Sequence, residues 1–84
     1  MYSRVKKKIQ EDRQRLNNAI VALKVKMAKG DKTVKRFKVA LEQLREIGYR
    51  LILALDEVEI KGQRIQGHLV ANRYNKCVNK VLSV

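Results

Sequence analysis

Residues 33–61 read TVKRFKVALEQLREIGYRLILALDEVEIK. Within them Val34, Phe37, Leu41, Leu44, Gly48, Leu51, Leu55 and Val58 alternate spacings of three and four without a break, which is the rhythm of one helical face. The stretch predicts a helix from Thr33 to Lys61, about 43 Å long at the usual rise of ~1.5 Å per residue. A second line, Ala40, Ile47 and Ala54, recurs every seven residues beside the first and widens the expected buried face enough to meet two neighbours. Gly48, in the middle of the stripe, costs about 1 kcal/mol of helix propensity relative to Ala. A backbone or a Tyr side chain packed closely there would offset that loss; a kink is the alternative.

Towards the N-terminus, Val5, Ile9, Leu16, Ile20, Leu23 and Met27 fall on one side of a helix expected over residues 4–29. Asp12 and Arg13 occupy the missing step of that stripe, so the first half of this helix is expected to pack less well and its first turns to project beyond the bundle. Gly30 can close it in the left-handed conformation, and Asp31 or Thr33 can cap the next helix. Towards the C-terminus, Val70, Tyr74, Cys77, Val81 and Val84 recur at spacings of four and three, with Val78 and Leu82 beside them. They predict a third helix that starts between Arg64 and His68 and ends at Ser83, after a glycine-containing loop at 62–67. The expected architecture is all-α: one domain over residues 1–84, an antiparallel up-down-up three-helix bundle with a long central helix.

Composition agrees with this and excludes much else. Hydrophobic residues make up 45% of the 84 and charged residues 33%, enough for one core and too apolar for a disordered chain. No Pro and four Gly argue against a loop-rich or all-β fold. One Cys rules out an internal disulfide and one His rules out a His-rich metal site. Leu51–Leu55, the longest nearly uncharged apolar run, falls far short of the roughly 20 residues that span a bilayer. The basic start runs into Ile9-Gln10-Glu11-Asp12 and not into an apolar signal core. A cytoplasmic or nuclear location is therefore expected.

Catalysis finds no foothold. His68 is the only imidazole, and no Ser, Cys or Asp stands at a spacing that would make it a nucleophile with a base. Cys77 follows the buried rhythm and reads as a small core residue. The carboxylates of Asp56, Glu57 and Glu59 lack the pattern of a calcium loop, while Glu42 with Arg45 and Glu46 with Arg50 read as helix-spaced ion pairs. A non-enzymatic protein without cofactor or metal is the expectation.

Charge carries the functional signal. Twenty Lys and Arg stand against eight Asp and Glu, a net charge of +12, which favours a polyanionic partner. Residues 1–40 hold 13 of the cations and three acids, whereas residues 41–84 hold seven and five. Arg4, Lys6, Lys7, Lys8, Arg13 and Arg15 form one cluster on the first helix. Lys24, Lys26, Lys29, Lys32, Lys35, Arg36 and Lys38 form another around the first turn. Both are candidate phosphate-binding residues for RNA or DNA, expected to converge on one electropositive face at that corner. Among the aromatics, Phe37 and Tyr74 belong to apolar stripes, Tyr49 lies near the edge of one, and Tyr2 alone is expected to be free to stack on a base.

A further pattern lies in Leu53-Ala54-Leu55-Asp56-Glu57-Val58 followed by Gly62, with Glu46 ten residues before Asp56. From Glu46 to Gly62 the chain resembles the second helix of BAG domains, three-helix co-chaperone modules that bind the nucleotide-binding domain of the 70-kilodalton heat-shock chaperone. The resemblance implies a chaperone-binding set of Glu46, Asp56 and Arg73 and an activity in nucleotide release. The Gln that the family places eight residues after that Arg is Val81 here. A third expectation is a structural subunit of a ribonucleoprotein or viral assembly, and the second stripe on the central helix leaves self-association open.

Overall fold

Gly30 and Gly62 decide where the chain turns. Their φ angles, 98° and 68°, lie in the left-handed region that glycine enters without a side-chain clash. At the first, Gly30 N–H donates to the Met27 carbonyl at 3.0 Å and Asp31 N–H to that of Lys26 at 3.1 Å. At the second, Gly62 N–H donates to Glu59 at 3.1 Å and Gln63 N–H to Val58 at 3.0 Å. Both are Schellman closures, which satisfy the last carbonyls of a helix. In the computed structural model, which describes residues 2–83, these turns separate α1 (Ser3–Ala28), α2 (Lys35–Ile60) and α3 (Gly67–Leu82). The protein is an all-α three-helix bundle running up, down and up.

Side-chain pairs set the register. Lys6 meets Asp56, and the Arg45 guanidinium donates to Asn17 Oδ1, so α1 and α2 run antiparallel along their whole length. Between α1 and α3 a polar ladder runs in parallel. Lys8 Nζ donates to Asn72 Oδ1 at 2.7 Å, Asn75 Nδ2 to both carboxylate oxygens of Asp12 at 2.9 and 3.0 Å, and Arg15 Nη1 to Asn79 Oδ1 at 2.8 Å. Asp12 is only 3% exposed, and Arg15 adds a charged donor at 3.1 Å. A buried carboxylate is tolerated when paired and hydrogen-bonded, as here. The first turns of α1 do not project as expected: they are held between α3 and the end of α2, with Tyr2, just before the helix, and Ile9 buried. The second half of α1, where Leu16, Ile20 and Leu23 are buried compared with Ile9 and Asp12 in the first, is still the more apolar in its packing.

The ladder also fixes where α3 stops. Its partners are offset by 63 or 64 residues (72 against 8, 75 against 12, 79 against 15), so Leu82 falls level with Asn18. Beyond that height α1 and α2 continue alone as a two-helix tip that ends in the turn at Gly30. The long dimension of the molecule, 50 Å against 20 and 16 Å, reflects this extension. Ile20, Leu23 and Leu41 fill the root of the tip, with Val34 and Phe37 packed against them.

The main stripe on α2 is the inner face, with Leu41, Gly48 and Leu55 buried and Ile52 beside them. The second line is not buried: Ala40 and Ala54 are exposed and Ile47 is 50% exposed. On α3 the buried line is Gly67, Ala71, Tyr74 and Val78, one step round from the expected stripe, because α3 packs against α1 through that line and its asparagines. Cys77 is accordingly exposed, and Val84 lies outside the described residues. The expected cap at α2 also differs. Asp31 Oδ1 accepts from the Thr33 N–H and hydroxyl within the turn, and α2 starts two residues later at Lys35 with no side-chain cap.

Tyr74 joins α3 to α2. Its hydroxyl donates to the Leu44 carbonyl at 2.7 Å, and its ring end occupies the notch left by Gly48. A Cβ at Gly48 would sit 2.7 Å from Tyr74 Cζ and 2.8 Å from Arg13 Cγ. Close approach of a Tyr thus accounts for the glycine, and α2 remains one continuous helix through it.

Gly48→Ala is expected to lower stability by about 1–2 kcal/mol in denaturant unfolding, since displacing a rigid ring outweighs the gain in helix propensity of about 1 kcal/mol. Burial pushes the Tyr74 phenol up from 10.0 to about 12. The folded state therefore holds its proton more tightly than the unfolded chain, and the corresponding stability is present below pH 10 and lost as pH rises towards 12. Unfolding curves across that interval should fall more steeply for the native chain than for Tyr74→Phe.

Candidate phosphate-binding tip

The thirteen cations singled out in the sequence fall into two groups at opposite ends of α1. Lys7 and Lys26 are separated by about 29 Å of helix; one outward line between them, Glu11, Gln14, Asn18, Val21 and Val25, carries no cation, and of the exposed cations beside it Lys8 and Arg15 are bonded to Asn72, Asn79 and Asp12. A single merged electropositive face is therefore not what the fold builds.

The N-terminal group is largely engaged within the protein. Lys6 Nζ lies 2.6 Å from Asp56 Oδ1 and 3.4 Å from Glu59 Oε2; the bond to Asp56 raises its pKa despite partial desolvation. Glu59 is held below the usual carboxylate range by the backbone N–H of Tyr2 and by Lys6. Arg15 is bound to Asp12 and Asn79, and Lys8 to Asn72. Arg13 donates to the Arg45 carbonyl at 3.1 Å and to Gln10, and its guanidinium lies 5.4 Å from the centre of the Tyr49 ring, within cation–π range. Arg4 and Lys7 are exposed.

The tip is different. Lys24, Lys26 and Lys29 on the last turns of α1, Lys32 in the turn, and Lys35, Arg36 and Lys38 on the first turn of α2 stand around Asp31, with Glu42 one turn further along α2. Thr33 takes the Asp31 carboxylate and holds its pKa low. Lys38 pairs with Glu42 at 2.8 Å, which lowers the Glu42 pKa. The other six are exposed, and none of them has an ion pair among the described residues. Helix dipoles divide them. Lys26 and Lys29 complement the carbonyl end of α1, whereas Lys35, Arg36 and Lys38 stand at the N–H end of α2. That end has neither an acidic residue in its first turn nor a side-chain cap. A phosphate would meet both the cations and those N–H groups.

The aromatic assignment is corrected. Tyr2 is 6% exposed; its ring packs on Gly67, while its hydroxyl donates to the Ile65 carbonyl at 3.1 Å and accepts from Ile65 N–H at 2.8 Å. Tyr49, 44% exposed and covered on one side by Arg13, is the outward aromatic. Its position opposite an Arg on the antiparallel helix was the available sequence signal. Of the helix-spaced pairs, Glu46 with Arg50 forms at 3.5 Å, but Glu42 takes Lys38 because Arg45 turns to Asn17.

The chaperone-type set is dispersed. Ten residues separate Glu46 from Asp56, which places them about 80° apart around α2. Asp56 faces α1 and holds Lys6, Glu46 faces outward with Arg50, and Arg73 borders a groove between α2 and α3. Among the described residues no three His, Cys, Asp or Glu side chains converge as metal ligands, and no helix is long and apolar enough to cross a membrane. Compared with known families, curated proteins and solved structures, the chain matches none.

Lys35 opposes the α2 dipole, so Lys35→Glu should raise the thermal midpoint, gaining about 0.3–1 kcal/mol at low salt and less as salt increases.

Proposed function

We propose that this chain is a non-enzymatic helical module that binds the phosphate backbone of RNA or DNA through its two-helix tip. The supporting observation is the accumulation of seven cations, six of them exposed and without an ion pair among the described residues, on the part of α1 and α2 that α3 does not flank. Concentrated positive charge held at such a local density is costly to the fold, and a polyanion relieves it while displacing its own condensed counterions. The two helices hold the cations on a rigid wedge, so little side-chain-bearing backbone has to be ordered on binding. Lys26 and Lys29 meet phosphates as point charges, and the uncapped N–H groups of α2 add directional donors beside Lys35 and Arg36. No exposed aromatic lies at the tip, so recognition is of the backbone and not of base identity. The co-chaperone alternative has no comparable convergence of its three residues.

Fluorescence anisotropy with short RNA and DNA oligonucleotides in rising salt tests this reading. Affinity should fall steeply with salt and vary little with sequence. Lys29→Gln with Lys32→Gln should weaken binding on every oligonucleotide and reduce the logarithmic salt slope by about two. Arg4→Gln with Lys7→Gln, at the far end of α1, should leave the slope of a short oligonucleotide unchanged. No binding at low salt, or binding indifferent to salt, overturns the proposal.

A further inference from the structure

Helical phase places the cations of the tip on two opposite flanks. Residues two apart on an α-helix stand about 160° apart around its axis, and each helix of the tip carries such a basic pair, Lys24 with Lys26 on α1 and Arg36 with Lys38 on α2. Contacts with the rest of the molecule fix which members share a flank. Lys38 bonds Glu42 and Lys24 also acts on that carboxylate, so Lys24 and Lys38 stand on one flank, with Lys35 one turn before Lys38. Lys26 comes eleven residues, three full turns, after Arg15, which faces α3; it therefore stands on the opposite flank, and Arg36 stands there on α2. Lys29 and Lys32 lie at the apex. The outer edges of the pair carry the exposed Val21, Val25 and Val39. A strand of phosphates laid against the tip from one side would reach only half of this charge.

The shape of the tip matches the charge. Two helices side by side form a slab one helix thick, about 10–12 Å, and about 20 Å wide with their axes 8–10 Å apart. From the level of Asn18, where α3 ends, to Gly30 the slab stands free for about 18 Å, and Lys24 lies about 9 Å from its end. The apex is slim. Space around Gly30 is open, and Asp31 is turned back onto the N–H and hydroxyl of Thr33. The major groove of B-form DNA is about 12 Å wide and about 8.5 Å deep, with a phosphate chain along each wall. A slab of this thickness enters it with one basic flank towards each wall, and the cations then stand at the height of the rims. The blunt end of α3 stays about 9 Å above them.

We infer that the polyanion this tip is built for is B-form double-stranded DNA, with the two-helix slab seated edge-on in the major groove and its two flanks on the phosphates of opposite strands. The inference rests on the reading of the tip as a phosphate-binding element and narrows it to one class of nucleic acid. Single strands are gripped by stacking bases on aromatic side chains, and the tip exposes none. An RNA duplex has a major groove too deep and narrow to admit the slab, and its wide, shallow minor groove offers no pair of walls to straddle.

Anisotropy at matched salt with a DNA duplex of about 16 base pairs, one and a half turns, its separate strands and the corresponding RNA duplex tests the inference. The DNA duplex should bind at least about tenfold more tightly than either of the others, a difference of about 1.4 kcal/mol. Lys24→Gln with Lys35→Gln on one flank, and Lys26→Gln with Arg36→Gln on the other, should each reduce the logarithmic salt slope on the DNA duplex by about two. All four side chains are exposed, so the helical circular dichroism and melting of both variants should stay native. Bulky uncharged substituents at pyrimidine C5, which project into the major groove, should weaken binding at least about tenfold, a loss of about 1.4 kcal/mol. Equal affinity for all three nucleic acids, dependence on one flank alone, or indifference to the C5 substituents would each overturn the inference and leave phosphate binding by the tip standing. Absence of binding to any of them at low salt would remove both.

Discussion

One side chain inserted into one missing side chain holds the third helix in place. Tyr74 reaches across from α3 into the notch at Gly48, and its hydroxyl bonds the Leu44 carbonyl. Little else ties α3 to α2. The rest of α3 is committed to α1 through Gly67, Ala71 and Val78 and through three asparagines. Because the notch admits a ring at a single height, it sets how far α3 stands from α2. That separation leaves the groove beside it open.

The parallel ladder between α1 and α3 has the complementary role of setting height. An apolar seam alone tolerates a slip of a turn at modest cost, whereas a buried carboxylate that loses its donors does not. Asp12 takes one bond from Arg15 within α1 and two from Asn75 across the interface, and only one register of α3 supplies those two. By fixing α3 beside the first part of α1, the ladder determines that α1 and α2 outrun it and that the first turn stands at the end of a two-helix projection.

Cations at the two ends of the molecule meet different surroundings. At the end opposite the tip positive charge is absorbed by partners: Lys6 by Asp56 and Glu59, Arg13 by Tyr49 and a backbone carbonyl. At the tip most of it is left to solvent, and part of it faces a helix end of the same sign. The tip therefore agrees with helix pattern and turn chemistry while working in part against local electrostatics.

Periodicity and turn residues were enough to specify three helices, their order, both glycine turns and the inner stripe of α2, since burial of one face and a left-handed closure are local properties of a chain. The packing of Gly48 against a Tyr was also legible, as one of two options. Tertiary structure decided the rest. Asp12 looked like a gap in an apolar stripe because its partner lies 63 residues away; the start of α1, expected to project, is clamped for that reason. Tyr2 looked free because nothing nearby in the chain covers it, yet Gly67 and Ile65 do. Cys77 and Ile47 keep the rhythm of buried positions and are open to solvent, because a three-four pattern states that a face can pack and not which neighbour it finds. The basic residues were countable from the start, but whether a cation is paired depends on carboxylates brought from other helices, and only the assembled bundle separates the engaged group at one end from the exposed group at the other.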